Sequence, residues 1–347
     1  MTDPDLSRYA KQTLFRPIGM DGQRRLRTAR VLVCGCGALG SALAEGLTRA
    51  GIGFLRIVDR DFVDLSNLQR QVLFTEEDVA SGVPKAIAAK ERLQQINSTV
   101  DIEAQVTDIG PDNILSLASD VDLILDGLDN FETRFLINDA ALEINRPWIY
   151  AGAIGSHGQT MTILPHQTAC LRCLIDQPPA PGTAETCDTA GVLQPIISSL
   201  TALQIVSAIK LLIGRADLIE PMLTMLDVWE NTHRKLSLQS LRDQGHCPAC
   251  HRGERLWLRG ERTAQTSVLC GRNAVQVTPA ERQNLSLERL KEQWQPLGTV
   301  MKNPFLLRLK PQDSELELTL FADGRAIIKG TEDLTVARSL YTRYVGL

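Results

Sequence analysis

The sequence predicts a doubly wound, Rossmann-like α/β fold with a mostly parallel sheet, a structural zinc site and a small α+β module at its C-terminal end. Three observations lead there. Over the first 150 residues short apolar runs alternate with helical stretches, the pattern of a parallel sheet with crossover connections. The first run opens directly into a glycine-rich turn and then a helix. Two later runs each stop at an aspartate, Asp59 and Asp126.

In chain order, RVLVC (Arg30–Cys34) is a buried strand, followed by GCGALG and the helical stretch SALAEGLTRAG. Phe54–Val58 is a second β-rich run. A helix over 85–95, a strand over 100–106 and a buried strand over 121–125 follow. IYAGAIGSHGQTMTIL reads as two strands around a Gly-rich turn, and 177–191 as a Pro/Gly/Thr-rich loop. A long helix spans 195–213, before two strands in MLTMLDVW and HRKLSLQ. The domain boundaries expected are 1–255, a polar linker over 256–267 within the stretch 252–267, and a module over 268–347. In that module SVLCGRNAVQV is strand-like, SLERLKEQW helical, FLLRLK and LELTLF strand-like, and Asp323–Gly324 a hairpin signal before a last helix.

Composition narrows the function. With 37 basic against 41 acidic residues the net charge is -4, so no global cationic field serves DNA or an anionic membrane. Apolar content of 44% and charged content of 22% exclude wholesale disorder. The start, MTDPDLSRYAKQ, has no apolar signal core, and the most apolar stretch (192–214) is interrupted by Gln194, Pro195, Gln204 and Lys210. A cytoplasmic protein with a buried helix there, and no membrane span, is expected.

Gly35, Gly37 and Gly40 fit G-x-G-x-x-G between strand and helix, where glycines admit close approach and the helix N-terminus offers N–H donors to phosphate. Asp59, at the end of the next strand, suits ribose hydroxyls. The following segment, DRDFVDLSNLQRQ, then Lys85 and the run DGLDN, suits a nicotinamide cofactor poorly. Arg and Lys clamp a triphosphate, and an Asp at a strand's C-terminal end holds its magnesium. Arg24, Arg25, Arg27 and Arg30 read as a solvated helix face.

Taken in order, GCGALG, DRDFVDLSNLQRQ, VPK, DGLDN, CLRC, TCDTAGVLQP and CPAC resemble the ThiF/MoeB/HesA adenylyltransferases, bacterial relatives of ubiquitin-activating enzymes, over about residues 7–255. The resemblance implies a homodimer that uses ATP and Mg2+ to adenylate the C-terminal glycine of a β-grasp sulfur carrier. That carrier would be ThiS- or MoaD-like with a Gly-Gly end, serving thiamine or molybdopterin biosynthesis, and a cysteine desulfurase or another sulfur donor would be a further partner. Matched motif by motif, the ATP site takes Gly35, Gly37, Ala38, Gly40, Asp59, Asp61, Ser66, Asn67, Arg70, Lys85, Asp129 and Asn130. Asp59 would hold the ribose, Asn67, Arg70 and Lys85 the phosphates, and Asp129 the magnesium. Where the family shows RYxRQ, its second Arg reaching the neighbouring subunit's ATP, this chain has RYAKQ; Lys11 keeps the charge and loses the bidentate fork.

Cys170-x-x-Cys173 and Cys247-x-x-Cys250 are two knuckles whose four thiolates satisfy tetrahedral zinc with no open position, leaving His246 and His251 as bystanders. Cys187 lies in a loop before a helix; helix proximity lowers a thiol pKa while Glu185 and Asp188 raise it. In ThiF-like members the matching cysteine becomes linked to the carrier, and MoeB-like members do not need it, so both a covalent role and a dispensable thiol stay open. Cys34, Cys36 and Cys270 read as small apolar residues. The module over 268–347, compatible with a ubiquitin-like fold, is either a carrier-docking surface or a dimer-stabilising appendage. Two rival functions remain, a non-catalytic nucleotide or carrier adaptor and an NAD-dependent oxidoreductase.

Overall fold

The computed structural model describes residues 4–178, 190–261, 266–269, 273–279, 284–312 and 314–345. The first compact unit takes in Met1–Pro179 and Val192–Arg262. Its sheet has eight strands: β1 (Arg30–Cys34), β2 (Phe54–Val58), β3 (Asp101–Gln105), β4 (Leu123–Asp126), β5 (Trp148–Ile154), β6 (His157–Ile163), β7 (Met222–Asp227) and β8 (Thr232–Ser237). They lie in the order β3-β2-β1-β4-β5-β6-β7-β8, with β1 to β5 parallel and β6 to β8 added antiparallel.

Both faces of the parallel strands are apolar, so alternate residues of one strand enter two cores. Val31 and Val33 of β1 enter one core, under the Ala38–Ala50, Lys85–Ile96 and Gln194–Leu212 helices. Leu32 and Cys34 enter the other, under Phe131–Glu143. The order reverses between β1 and β4, which opens a crevice beyond their C-terminal ends, where ligands of such sheets bind. Gln194–Leu212 is long and apolar enough to cross a membrane by length and composition. It packs along Ala38–Ala50 and on β5 and β6, burying Ile196, Ile197, Leu200 and Gln204 on one face.

The arginine cluster is divided rather than shared by one face. The Gly19–Leu26 helix stops before Arg27, Arg25 donates to the Ile213 carbonyl at 2.7 Å, and Arg30 opens β1 in a 2.6 Å ion pair with Asp120. Within the stretch read as a polar linker, Arg255 and Trp257 are buried. The Asp139 carboxylate accepts the Trp257 N–H at 3.0 Å, tying that segment to the Phe131–Glu143 helix.

The second unit takes in Ala180–Gly191 and Thr263–Leu347, and its later part has a six-stranded antiparallel sheet of β9 (Thr266–Leu269), β10 (Ala274–Val277), β11 (Gly298–Lys302), β12 (Leu306–Pro311), β13 (Glu317–Phe321) and β14 (Ala326–Lys329), ordered β11-β12-β13-β14-β10-β9. Helices Leu287–Trp294 and Leu334–Tyr344 contribute Leu287, Trp294, Ala337 and Tyr341 to its core with Val275, Leu309 and Leu320. SVLCGRNAVQV is therefore two paired strands, not one, and Asn273 at φ 44 stands in the turn. Every pairing is antiparallel, which departs from the mixed sheet of a ubiquitin-like module.

Candidate functional site

Three glycines interlock at the crevice. Gly35, just past β1, has φ +86 and donates to the Val58 carbonyl at 2.8 Å. A Cβ on Gly40 would stand 1.9 Å from the Gly35 oxygen, and one on Gly127 would stand 2.6 Å from that same oxygen. Gly37 is different: a Cβ there would meet nothing closer than 3.8 Å. It precedes Ala38 at the N-terminus of the Ala38–Ala50 helix, which no side chain caps, so the first N–H groups face outward.

Carboxylates and one lysine set the charge beside this loop. Asp59 accepts the Cys36 N–H at 2.6 Å and the Asp61 N–H at 2.7 Å. Burial raises the Asp59 pKa, with Lys85 opposing and Asp61 adding to the shift. Lys85, only 3% exposed, starts the Lys85–Ile96 helix and holds Nζ 3.4 Å from the Asp61 carboxylate. The ammonium thus sits in an acidic pair where phosphate oxygens can compete for it.

Segment 64–71 folds as one turn. Asp64 accepts the Ser66 N–H at 3.0 Å, and Asn67 returns the favour by accepting the Asp64 N–H at 3.1 Å, a capping box. That turn leaves Ser66 exposed and Arg70 half-exposed, its Nη1 on the Ser66 carbonyl at 2.7 Å. Gln71, one residue on, is buried; its Nε2 would lie 4.0 Å from a Gly37 Cβ, and its Oε1 accepts no hydrogen bond among the described residues. Sequence reasoning passed over Gln71, although its place at the end of SNLQRQ was a usable signal.

At the end of β4, Asp126 is fully buried beside Arg134, whose Nε donates to it at 2.9 Å. Desolvation raises the Asp126 pKa and the Arg134 charge opposes that. Arg134 Nη2 also holds the Leu128 carbonyl at 2.6 Å and the Ala151 carbonyl at 2.8 Å, fixing the DGLDN loop. Asn130 caps the Phe131–Glu143 helix by accepting the Thr133 N–H at 2.9 Å, and Asp129 before it is exposed. Neither Arg134 nor Asp126 stood among the site residues expected. Lys11 is exposed in the Ala10–Thr13 helix and bonds to none of these groups; Cys187 and Cys270 lie outside the described residues.

The four knuckle cysteines converge, all Sγ atoms within 4.8 Å of one another. Cys170–Cys173, Cys170–Cys247 and Cys173–Cys250 are 3.8, 3.6 and 3.4 Å apart. Zinc–sulfur bonds of about 2.3 Å in a tetrahedron need sulfurs about 3.8 Å apart, so the donor set and spacing fit zinc. Asn138 anchors the first knuckle by accepting the Leu171 N–H at 2.9 Å, and His251 Nδ1 stands 3.3 Å from Cys250 Sγ outside the quartet.

Residues 9–249 match the ThiF family. A Bacillus subtilis sulfur carrier protein ThiS adenylyltransferase is 43% identical, over 98% of this chain and 99% of its own. The Escherichia coli protein of the same description is 37% identical, over 72% of this chain and 97% of its own. Among solved structures, Escherichia coli MccB with MccA-N7isoASN superposes with a TM-score of 0.60 at 22% identity, covering 72% of this chain and 74% of that one, a likeness of fold.

Proposed function

The chain belongs to the ThiF family, and from that premise we infer that it is a nucleotidyltransferase that adenylates a sulfur-carrier protein. The observation that carries the reading is the match to a ThiS adenylyltransferase over 98% of this chain and 99% of that one. The carrier's terminal carboxylate attacks the α-phosphate of ATP, the bond to the β-phosphate breaks, and pyrophosphate leaves an acyl-adenylate. The Gly37 turn and the uncapped Ala38–Ala50 N-terminus receive phosphate, Asp59 the ribose, and Arg70 and Lys85 the charge on the leaving oxygens. Bound magnesium would neutralise phosphate charge, with Asp129 as its ligand. Positioning supplies the rest, and no protein base is needed because the nucleophile is already a carboxylate.

The carrier proposed is a ThiS-like β-grasp protein ending in Gly-Gly, which places the reaction in thiamine biosynthesis; a MoaD-like carrier and molybdopterin are the second choice. Zinc in the cysteine quartet is structural, since four thiolates close its shell. A cytoplasmic homodimer, with Lys11 reaching the neighbouring ATP and a cysteine desulfurase or other donor supplying sulfur, completes the reading. Exposed Leu14, Phe15 and Val206 are the apolar surface such a dimer would cover. The test is ATP–pyrophosphate exchange with Mg2+ against a panel of Gly-Gly-ended β-grasp proteins. Exchange with one carrier, abolished in a folded Arg70→Ala protein, is expected. Silence across the panel with ATP still bound would turn the reading to a non-catalytic adaptor.

A further inference from the structure

Arg134 uses its guanidinium unevenly. Nε is on Asp126 and Nη2 on the Leu128 and Ala151 carbonyls, while Nη1 makes no hydrogen bond among the described residues. The side chain is 6% exposed and Nη1 is not one of the buried unpaired polar atoms, so this amine keeps solvent access and can take an acceptor from outside the chain. Its plane is fixed on two sides, the guanidinium carbon lying 5.5 Å from the Phe131 ring centre and 5.4 Å from that of Tyr150. Tyr150 is itself held, its hydroxyl accepting the Gln159 amide at 2.8 Å.

Nη1 lies beside a residue that has no side chain. Gly152 lies at the C-terminal end of β5, and a Cβ there would stand 3.9 Å from Nη1 and 3.1 Å from the Tyr150 hydroxyl. That end of β5 neighbours the end of β4, so the gap opens beside the DGLDN loop. Asp129 is near enough to strengthen the Arg134 charge.

We propose that Arg134 binds the carrier's tail, its Nη1 donating to a main-chain carbonyl next to the reacting carboxylate in the gap left by Gly152. A neutral carbonyl suits it, because Asp126 at 2.9 Å already matches the guanidinium charge. Through Nη2 the same group holds the Leu128 carbonyl, so one side chain sets the tail and the Asp129 loop relative to each other. This rests on the adenylation reading and assigns that site a residue for its second substrate.

Two variants test it by pyrophosphate exchange, each with KM measured separately for carrier and ATP. Arg134→Lys keeps a charge for Asp126 but loses the fork. Gly152→Ala removes no donor or acceptor of Arg134 and places a methyl group 3.9 Å from Nη1, with the Tyr150 hydroxyl giving way by a few tenths of an ångström. Both are expected to raise the carrier KM by about tenfold, the loss of one charge-assisted hydrogen bond, with the ATP KM unchanged. Because Arg134→Lys can disturb the buried pair, Gly152→Ala decides. Wild-type exchange with an unmoved carrier KM in Gly152→Ala overturns the inference alone. A wild-type protein silent with every carrier overturns the adenylation reading, and the inference with it.

Discussion

Replacing Gly40 and Gly37 by alanine separates what the glycine loop does for the fold from what it does for phosphate. At Gly40 the new Cβ would lie 1.9 Å from the Gly35 oxygen, more than an ångström inside any real contact. The obstructing atom is backbone, and Gly35 is itself held by its N–H bond to Val58, so no side chain can swing aside. Overpacking of that kind costs up to about 3 kcal/mol, and the gain in helix propensity returns about 1. The net of about 2 kcal/mol corresponds to a Tm fall of roughly 4–8 °C in a unit of this size. Gly37→Ala meets no atom closer than 3.8 Å, so although its φ of -78 and ψ of -145 lie outside the regions alanine prefers, its Tm should fall less than that of Gly40→Ala. Its methyl would stand where a phosphate passes the uncapped helix end, and ATP affinity should fall about tenfold, near 1.4 kcal/mol. Thermal unfolding and calorimetric titration with ATP read the two effects. An unchanged Tm in Gly40→Ala would refute the steric argument, and wild-type ATP affinity in Gly37→Ala would refute the phosphate path.

Three further outcomes are expected. Cys173→Ser should purify without the zinc that metal analysis finds in the wild type, and should unfold at lower temperature; stoichiometric zinc in that variant would reject the four-cysteine site. Asp139, buried and with its pKa raised to about 6 by desolvation while Trp257, Leu258, Arg255 and Arg172 pull it down, prefers its proton in the folded state. Its contribution is therefore full below about pH 4 and is lost as pH rises through about 6, by up to about 3 kcal/mol. Asp139→Asn should flatten that decline in denaturant-unfolding free energies between pH 4 and 7, and an unaltered pH profile would speak against the shift. Cys187→Ser should keep full carrier-dependent pyrophosphate exchange and affect only later sulfur transfer; loss of exchange would place Cys187 in the first step.

What could be read from the chain was local. A strand, a glycine turn and a helix follow one another within residues 30–50, so their geometry is written in adjacent residues, and β1 and β2 run where the apolar runs do. Each CxxC knuckle is likewise a local spacing, and the order of motifs named the family. Phe131–Glu143 escaped notice because it is buried almost all round, from Arg134 to Leu142, and such a helix has no polar face to give it a period. The turn inside SVLCGRNAVQV was marked by Gly271 and Asn273, but both arms are largely apolar and the segment reads as one run. Tertiary structure alone decided which polar groups meet. Asp126 and Arg134 pair at eight residues' separation, Lys85 and Asp61 at 24, and Asp139 and Trp257 at 118. Burial makes those partners obligatory, because a charged or polar group taken out of water must find a partner, yet nothing in either residue's neighbours along the chain says where that partner is.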